Sequence, residues 1–243
     1  MILRRIADGL RRQDWTTVFI ELLVVVLGLL LGLELNNWSN DLKDRRLVAD
    51  YYDQLILDLE ADVATGERGV HSADRHTAMG NIIYKAATQG NLDGISDEDL
   101  VLGLVIAGYT ERPLITRHTY EELISTGSLR LIEDAEIKRA LRNYYSGDQR
   151  GRQWDVLIQH EQMRYRDAIR GVLTPDQMRW ARASLGRASR PPPDFDRAQF
   201  IRSLEERPEI IHSLASMAAV QVRLRNNSAV VAEQASILIE LIS

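Results

Sequence analysis

WTTVFIELLVVVLGLLLGLELNNW, residues Trp15 to Trp38, decides how the rest of the chain is read. Between Val18 and Leu35 the ionisable side chains are Glu21 and Glu34, and Leu22 to Leu33 carries no polar side chain. As a helix, the stretch measures about 34 Å at a rise of about 1.5 Å per residue. That suits a hydrocarbon layer of about 30 Å with a margin of interface. Trp15, Phe19 and Trp38 then fall where interfacial aromatics sit. A cleaved export signal would share the preceding arginines and the apolar run, but it would need small residues at a cleavage site. The chain instead continues ELNNWSN. The stretch reads as an uncleaved, single-pass transmembrane anchor.

Arg4, Arg5, Arg11 and Arg12 precede the span, and Lys43, Arg45 and Arg46 follow it. The excess on the first side favours a cytoplasmic N-terminus and an exported body. The expected organisation is a short cytoplasmic tail (1–14), a transmembrane helix (15–38) and a helical bundle domain (39–243). Such a tail is too short for an output domain, which argues against a self-sufficient receptor.

One face of the span invites a partner. Gly28 and Gly32 form G-x-x-x-G, a spacing that lets a second helix approach closely. Steps of 100° per residue gather Glu21, Val25, Gly28, Gly32 and Asn36 within about 80° of arc, with Glu34 roughly opposite. Glu21 lies about 9 Å inward of Trp15 by the same rise. A carboxylate there must be protonated, paired on a partner helix, or snorkelling to the interface. The expected partners are the lipid bilayer and a membrane protein, or a second copy of this chain, packed through that face.

The segment ELLVVVLGLLLGLELNNWSND resembles the anchor signature of a family of uncharacterised bacterial single-span membrane proteins. That signature runs G-E-(apolar)-V-V-x-G-(apolar)-N-N-W-N. Glu21, Val25, Val26, Gly28, Asn36, Asn37 and Trp38 stand at matching places, while Ile20 replaces the usual glycine and Ser39 the usual asparagine. Thr119 to Tyr145, TYEELISTGSLRLIEDAEIKRALRNYY, is similar to a second block of that family. The resemblance implies a bacterial inner-membrane location and an anchored helical architecture. It implies no catalytic residues.

The 243 residues include no cysteine, which removes disulfide frameworks, thiolate metal sites and cysteine nucleophiles. Apolar residues make up 45%, enough for a core outside the anchor, and the net charge is −5. From residue 36 onward, 26 Lys and Arg face 31 Asp and Glu, so the body lacks the basic face of a nucleic-acid binder.

Beyond the anchor the pattern is helical almost throughout. Val48, Tyr52, Leu55, Leu59 and Val63 make an inner stripe. With no proline or glycine from Asn36 to Thr65, the anchor is expected to run into this helix, which Gly66 and Gly69 should close. Residues 72–89 read as a second helix. Ser96 and Asp99 form a capping box before LVLGLVIAGY, an apolar run too short to span a bilayer and therefore core. Gly127 is placed as a left-handed cap and Asp134 as an N-cap. SGDQRG, residues 146–151, should be a break or a loosened turn. Thr174, Pro175 and Gln177 make a helix start, and 186–195, with three prolines, is the linker candidate.

The last segment is the most regular. Ile210, Leu214, Met217, Gln221, Leu224, Ser228, Val231, Ala235, Leu238 and Ile242 alternate steps of four and three. This is a heptad seam with two polar interruptions. A neighbouring row, Ile211, Ala215, Ala218, Val222, Ala229, Ala232 and Ile239, should widen the buried stripe. A wide stripe suits a bundle within one chain, with self-association through the seam as the alternative. SLRLI, residues 128–132, is the one short alternating piece.

The chain shows no H-E-x-x-H, Walker loop, G-x-S-x-G or G-x-G-x-x-G. His71 and His76 are five apart and do not align on a helix. Glu209 and His212 give a single E-x-x-H, where a di-iron site needs two copies. Neither a metal nor a cofactor is expected. Tyr144, Trp154, Tyr165 and Trp180 are the candidate pocket aromatics, and the arginine-rich RYRDAIR (164–170) and RWARASLGRASR (179–190) could meet an acidic partner or lipid headgroups.

The expected protein is all-α, with an N-terminal transmembrane helix continuing into an elongated helical bundle. Its expected role is interaction, as a scaffold or accessory subunit of an inner-membrane complex or homo-oligomer. The alternative is a periplasmic ligand-sensing bundle that signals through a partner. An enzyme is the least favoured reading.

Overall fold

The structure, a computed structural model, describes residues 15–89, 92–151, 154–184 and 191–243, with side chains for all of these but 15–18 and 148–151. Eight α-helices and no strand occur among the described residues. They are α1 (Trp15–Gln89), α2 (Asp97–Ile106), α3 (His118–Ser125), α4 (Ala135–Gly151), α5 (Asp155–Ala168), α6 (Pro175–Ser184), α7 (Arg197–Glu205) and α8 (Pro208–Ile242). The chain is all-α, as its periodicity implies. It divides into two compact units, one ending at Tyr52 and one starting at Asp53.

Helix α1 does not end at Gly66 and Gly69, and 72–89 is its last part rather than a second helix. A mid-helix glycine costs about 1 kcal/mol against alanine. Here that cost is offset by close approach of α8. A Cβ on Gly66 would stand 2.6 Å from the Ser228 carbonyl oxygen and 2.9 Å from the Ala232 Cβ. One on Gly69 would collide with the Ser228 hydroxyl. The two glycines are a crossing point, not a stop.

The body's core forms where α2 enters. Leu100 to Ile106 are all buried, against Ile83 and Ala86 of α1, Tyr165 of α5, Ala181 of α6, Phe200 and Leu204 of α7, and Ile210, Leu214 and Met217 of α8. Burying each large aliphatic side chain contributes about 1.5–3 kcal/mol. The capping box at Ser96 and Asp99 is made in both directions.

Several local expectations are met. Gly127 has φ 72° and separates α3 from a 3₁₀ turn, Ser128–Leu131, which is what SLRLI becomes. Asp134 Oδ1 accepts from the Glu136 and Ile137 amides at 2.6 and 3.2 Å. Thr174 and Gln177 cap each other at the start of α6. The Gln177 side-chain amide also donates to the carbonyls of Pro193 and Asp194, at 3.2 and 3.1 Å. The described part of the linker is thus tied to α6, while 185–190 lies outside the described residues. SGDQRG is helical, because α4 runs on through Gly151.

Eight of the ten seam positions of α8 are buried, all but Val231 and Ile242. The seam packs within the chain, where α4, α5 and α7 lie against α8. The neighbouring row widens it only in part: Ile211, Ala232 and Ile239 are half-buried, while Ala215, Ala218, Val222 and Ala229 are exposed. Ser213 and Val220 are buried instead, on the other flank. Gln221 fits the seam by donating to the Tyr109 carbonyl at 2.6 Å. Ser228 fits by lying under the glycines of α1.

Candidate functional site

In the N-terminal unit, every described side chain from Phe19 to Leu47 is exposed. Phe19 is 64% exposed, Leu31 64% and Trp38 62%, far beyond what a water-facing helix normally shows for such residues. Among the described residues, α1 is the one helix long and apolar enough to cross a membrane. Val25 and Asn36 are exposed with Glu21 on the face drawn from the sequence, and nothing lies within 4 Å of where a Cβ would be on Gly28 or Gly32. The tail 1–14 and the Trp15 side chain lie outside the described residues.

The four candidate pocket aromatics do not converge. Tyr144 is buried and donates to Asp62. Trp154 is 40% exposed, with the Arg223 guanidinium 3.5 Å above its ring. Trp180 packs half-buried on the core. Tyr165 is fully buried, its hydroxyl donating to the Leu104 carbonyl at 2.7 Å. It alone of the four lines the 520 Å³ cavity beside α5 and α6. Tyr144, Tyr165 and Trp180 face inward, but toward different neighbours, and Trp154 stays on the surface.

What the structure does bring together is a buried acid and tyrosine centre. Asp58 and Asp62, one turn apart on α1, are both buried. Asp62 accepts from the Thr116 amide at 2.7 Å and from the Tyr144 hydroxyl at 2.8 Å. Asp58 meets His118 Nε2 at 3.0 Å. Tyr145 stacks on Tyr120 with centroids 4.1 Å apart. Arg117 donates to the Tyr145 carbonyl at 3.0 Å and lies 5.5 Å from that ring's centroid. Burial raises the Asp62 carboxyl above its ordinary value, against the lowering effect of its Thr116 and Tyr144 hydrogen bonds. Burial also pushes the Tyr145 hydroxyl well up.

Asp58 Oδ2 and the Tyr145 hydroxyl have no hydrogen-bond partner among the described residues. The centre joins the Thr119–Tyr145 block to α1, and chemically it can hold a proton. The described cavities are not lined by either aspartate. Sequence reasoning passed over Asp58 and Asp62, yet a signal existed. With Leu55 and Leu59 they complete the spacing i, i+3, i+4, i+7, so two acids occupy inward positions of an apolar stripe.

His76 stands apart from His71. It is half-buried, its Nδ1 has no partner among the described residues, and burial lowers its pKa. Glu209 and His212 are both exposed on the first turn of α8. No group of three His, Asp or Glu side chains able to hold a metal occurs among the described residues. No family model, curated protein or solved structure matches the chain.

Proposed function

We propose that this chain is a membrane-anchored helical interaction protein, a scaffold or accessory subunit of a bacterial inner-membrane complex or homo-oligomer. The observation that carries the reading is the uninterrupted exposure of Phe19 to Leu35 on a helix whose later turns bury their apolar side chains. Exposed leucine and valine over that length are stable in lipid and unstable in water. The resemblance of the anchor and of Thr119–Tyr145 to a single-span bacterial family supports the same location. The arginines before the span support a cytoplasmic N-terminus and a periplasmic body. Glu21, Val25, Gly28, Gly32 and Asn36 would form the contact with a partner helix, and Trp15, Phe19 and Trp38 would mark the interfaces.

The test is photo-crosslinking from positions 21 and 28 of the full chain in native membranes, after an alkaline carbonate wash. The chain should resist the wash, and each position should capture one discrete protein partner or a second copy. Release by carbonate would end the anchor, and capture of lipid alone would end the partner. A C-terminal reporter active only in the cytoplasm would reverse the orientation.

A further inference from the structure

Arg166 and Arg170 of the first arginine-rich segment and Arg182 of the second line the 520 Å³ cavity, a volume in the range of small-molecule sites. Its apolar wall is made by Val105 of α2, Ile169 and Leu173 of the turn after α5, and Met178 of α6. The Tyr165 ring adds a further wall, with its hydroxyl already engaged by the Leu104 carbonyl. Among the described residues, the charged groups lining the cavity are Arg166, Arg170 and Arg182, all exposed, and no carboxylate lines it.

Two further arginines of these segments, Arg164 and Arg179, are matched. Arg164 meets Glu161 at 3.3 Å, and Arg179 pairs with Asp176. Arg170 meets Asp167 at 2.7 Å, a solvent-exposed pair that binds its guanidinium weakly. Arg166 and Arg182 have no ion-pair or hydrogen-bond partner among the described residues. In a chain of net charge −5, three cations thus surround one apolar recess. An anion there would relieve their mutual repulsion, and a guanidinium fork matches a carboxylate. The recess behind them gives a hydrocarbon tail an apolar surface to cover.

We propose that this cavity binds a single-chain amphipathic anion, its carboxylate among Arg166, Arg170 and Arg182 and its tail along Val105, Ile169, Leu173 and Met178. The inference goes beyond the interaction role and does not rest on the anchor.

The test uses the full chain in phosphatidylcholine nanodiscs, titrated calorimetrically with dodecanoate, dodecanol or acetate, with empty discs subtracted. Dodecanoate should bind saturably, one per chain, and the two others more weakly. Arg166→Gln combined with Arg182→Gln should weaken dodecanoate roughly tenfold while leaving helical content unchanged, because both side chains are exposed. Met178→Trp, which narrows the recess at a half-buried position, should also weaken it. Absence of saturable binding above empty discs would overturn the proposal. So would dodecanol binding as tightly as dodecanoate, or indifference of dodecanoate to the double arginine variant.

Discussion

Helix α1 carries one device twice. Glu21, Val25 and Gly28 follow the spacing i, i+4, i+7, and so do Asp62, Gly66 and Gly69. Each set places an acid and small or slim residues on one face of the helix. In the second set every position is met from within the chain. Asp62 receives two hydrogen bonds, and the glycines receive the backbone and Ser228 side chain of α8. In the first set Glu21 and Val25 are exposed, and open space lies beside Gly28 and Gly32. Where a helix of this chain buries such a face against itself, it uses close glycines and a paired carboxylate. The same face left open in an apolar stretch is what a partner helix would need.

The sharpest way to break the comparison is at the closed set. Gly69→Ala puts a methyl group into the Ser228 side chain, and overpacking of this kind costs about 1–3 kcal/mol; with the Ser228 Cβ as well as its hydroxyl too close, we expect the upper part of that range. The readout is the guanidinium unfolding midpoint of the full chain in mild detergent. Ser228→Gly should recover about half of the loss, since it removes the colliding atoms, and a double-mutant cycle would show the coupling. A neutral Gly69→Ala would mean that α1 and α8 are not in contact there.

The open set should behave in the opposite way. Gly28→Leu with Gly32→Leu should leave that midpoint unchanged, because nothing in the chain occupies the space. The same change should weaken association in the membrane by about 1–2 kcal/mol, the range of transmembrane helix contacts. Energy transfer between labelled copies would read a homo-oligomer, and loss of the crosslink at position 21 would read a different partner. If the midpoint fell as it does for Gly69→Ala, the two sets would be alike and the open face would be structural.

Elements set by short-range chemistry were legible in the sequence. The caps at Ser96, Asp134 and Thr174 and the left-handed Gly127 each depend on residues within a few positions, and each forms. The seam of α8 was legible because its period persists over many turns. Gly66 and Gly69 misled for the converse reason. Glycine's local preference is to end a helix, and only a neighbour distant in sequence makes it useful inside one. The aromatics failed similarly, since spacing shows that Tyr144 and Tyr165 face inward but not toward what. The cavity was illegible because Val105 of α2, which completes its apolar wall, lies far in sequence from the stretch that carries its arginines. RYRDAIR and RWARASLGRASR were visible as basic runs, but that Arg166, Arg170 and Arg182 line one recess was not.

The two acids allow a finer measurement at the closed set. The Asp62 carboxyl is held above its ordinary 3.8 chiefly by burial, with a smaller push from Asp58 and opposition from the Thr116 and Tyr144 hydrogen bonds. The folded chain therefore takes up this proton more readily than the unfolded one. The stability that Asp62 contributes is full below pH 3.8 and is lost as pH rises through the folded pKa. Asp62→Asn cannot titrate there, yet it keeps an oxygen for the Thr116 amide, and its side-chain amide can donate to the Tyr144 hydroxyl. Midpoints of variant and parent should lie close together near that pH and separate toward neutrality, with the variant gaining. The separation is the smallest of the three effects, and its course with pH gives the folded pKa directly. A parent that gained on the variant toward neutral pH would mean that the two hydrogen bonds outweigh burial. The ionised form would then be the one the fold selects, and the contrast with the open set would rest on the glycines alone.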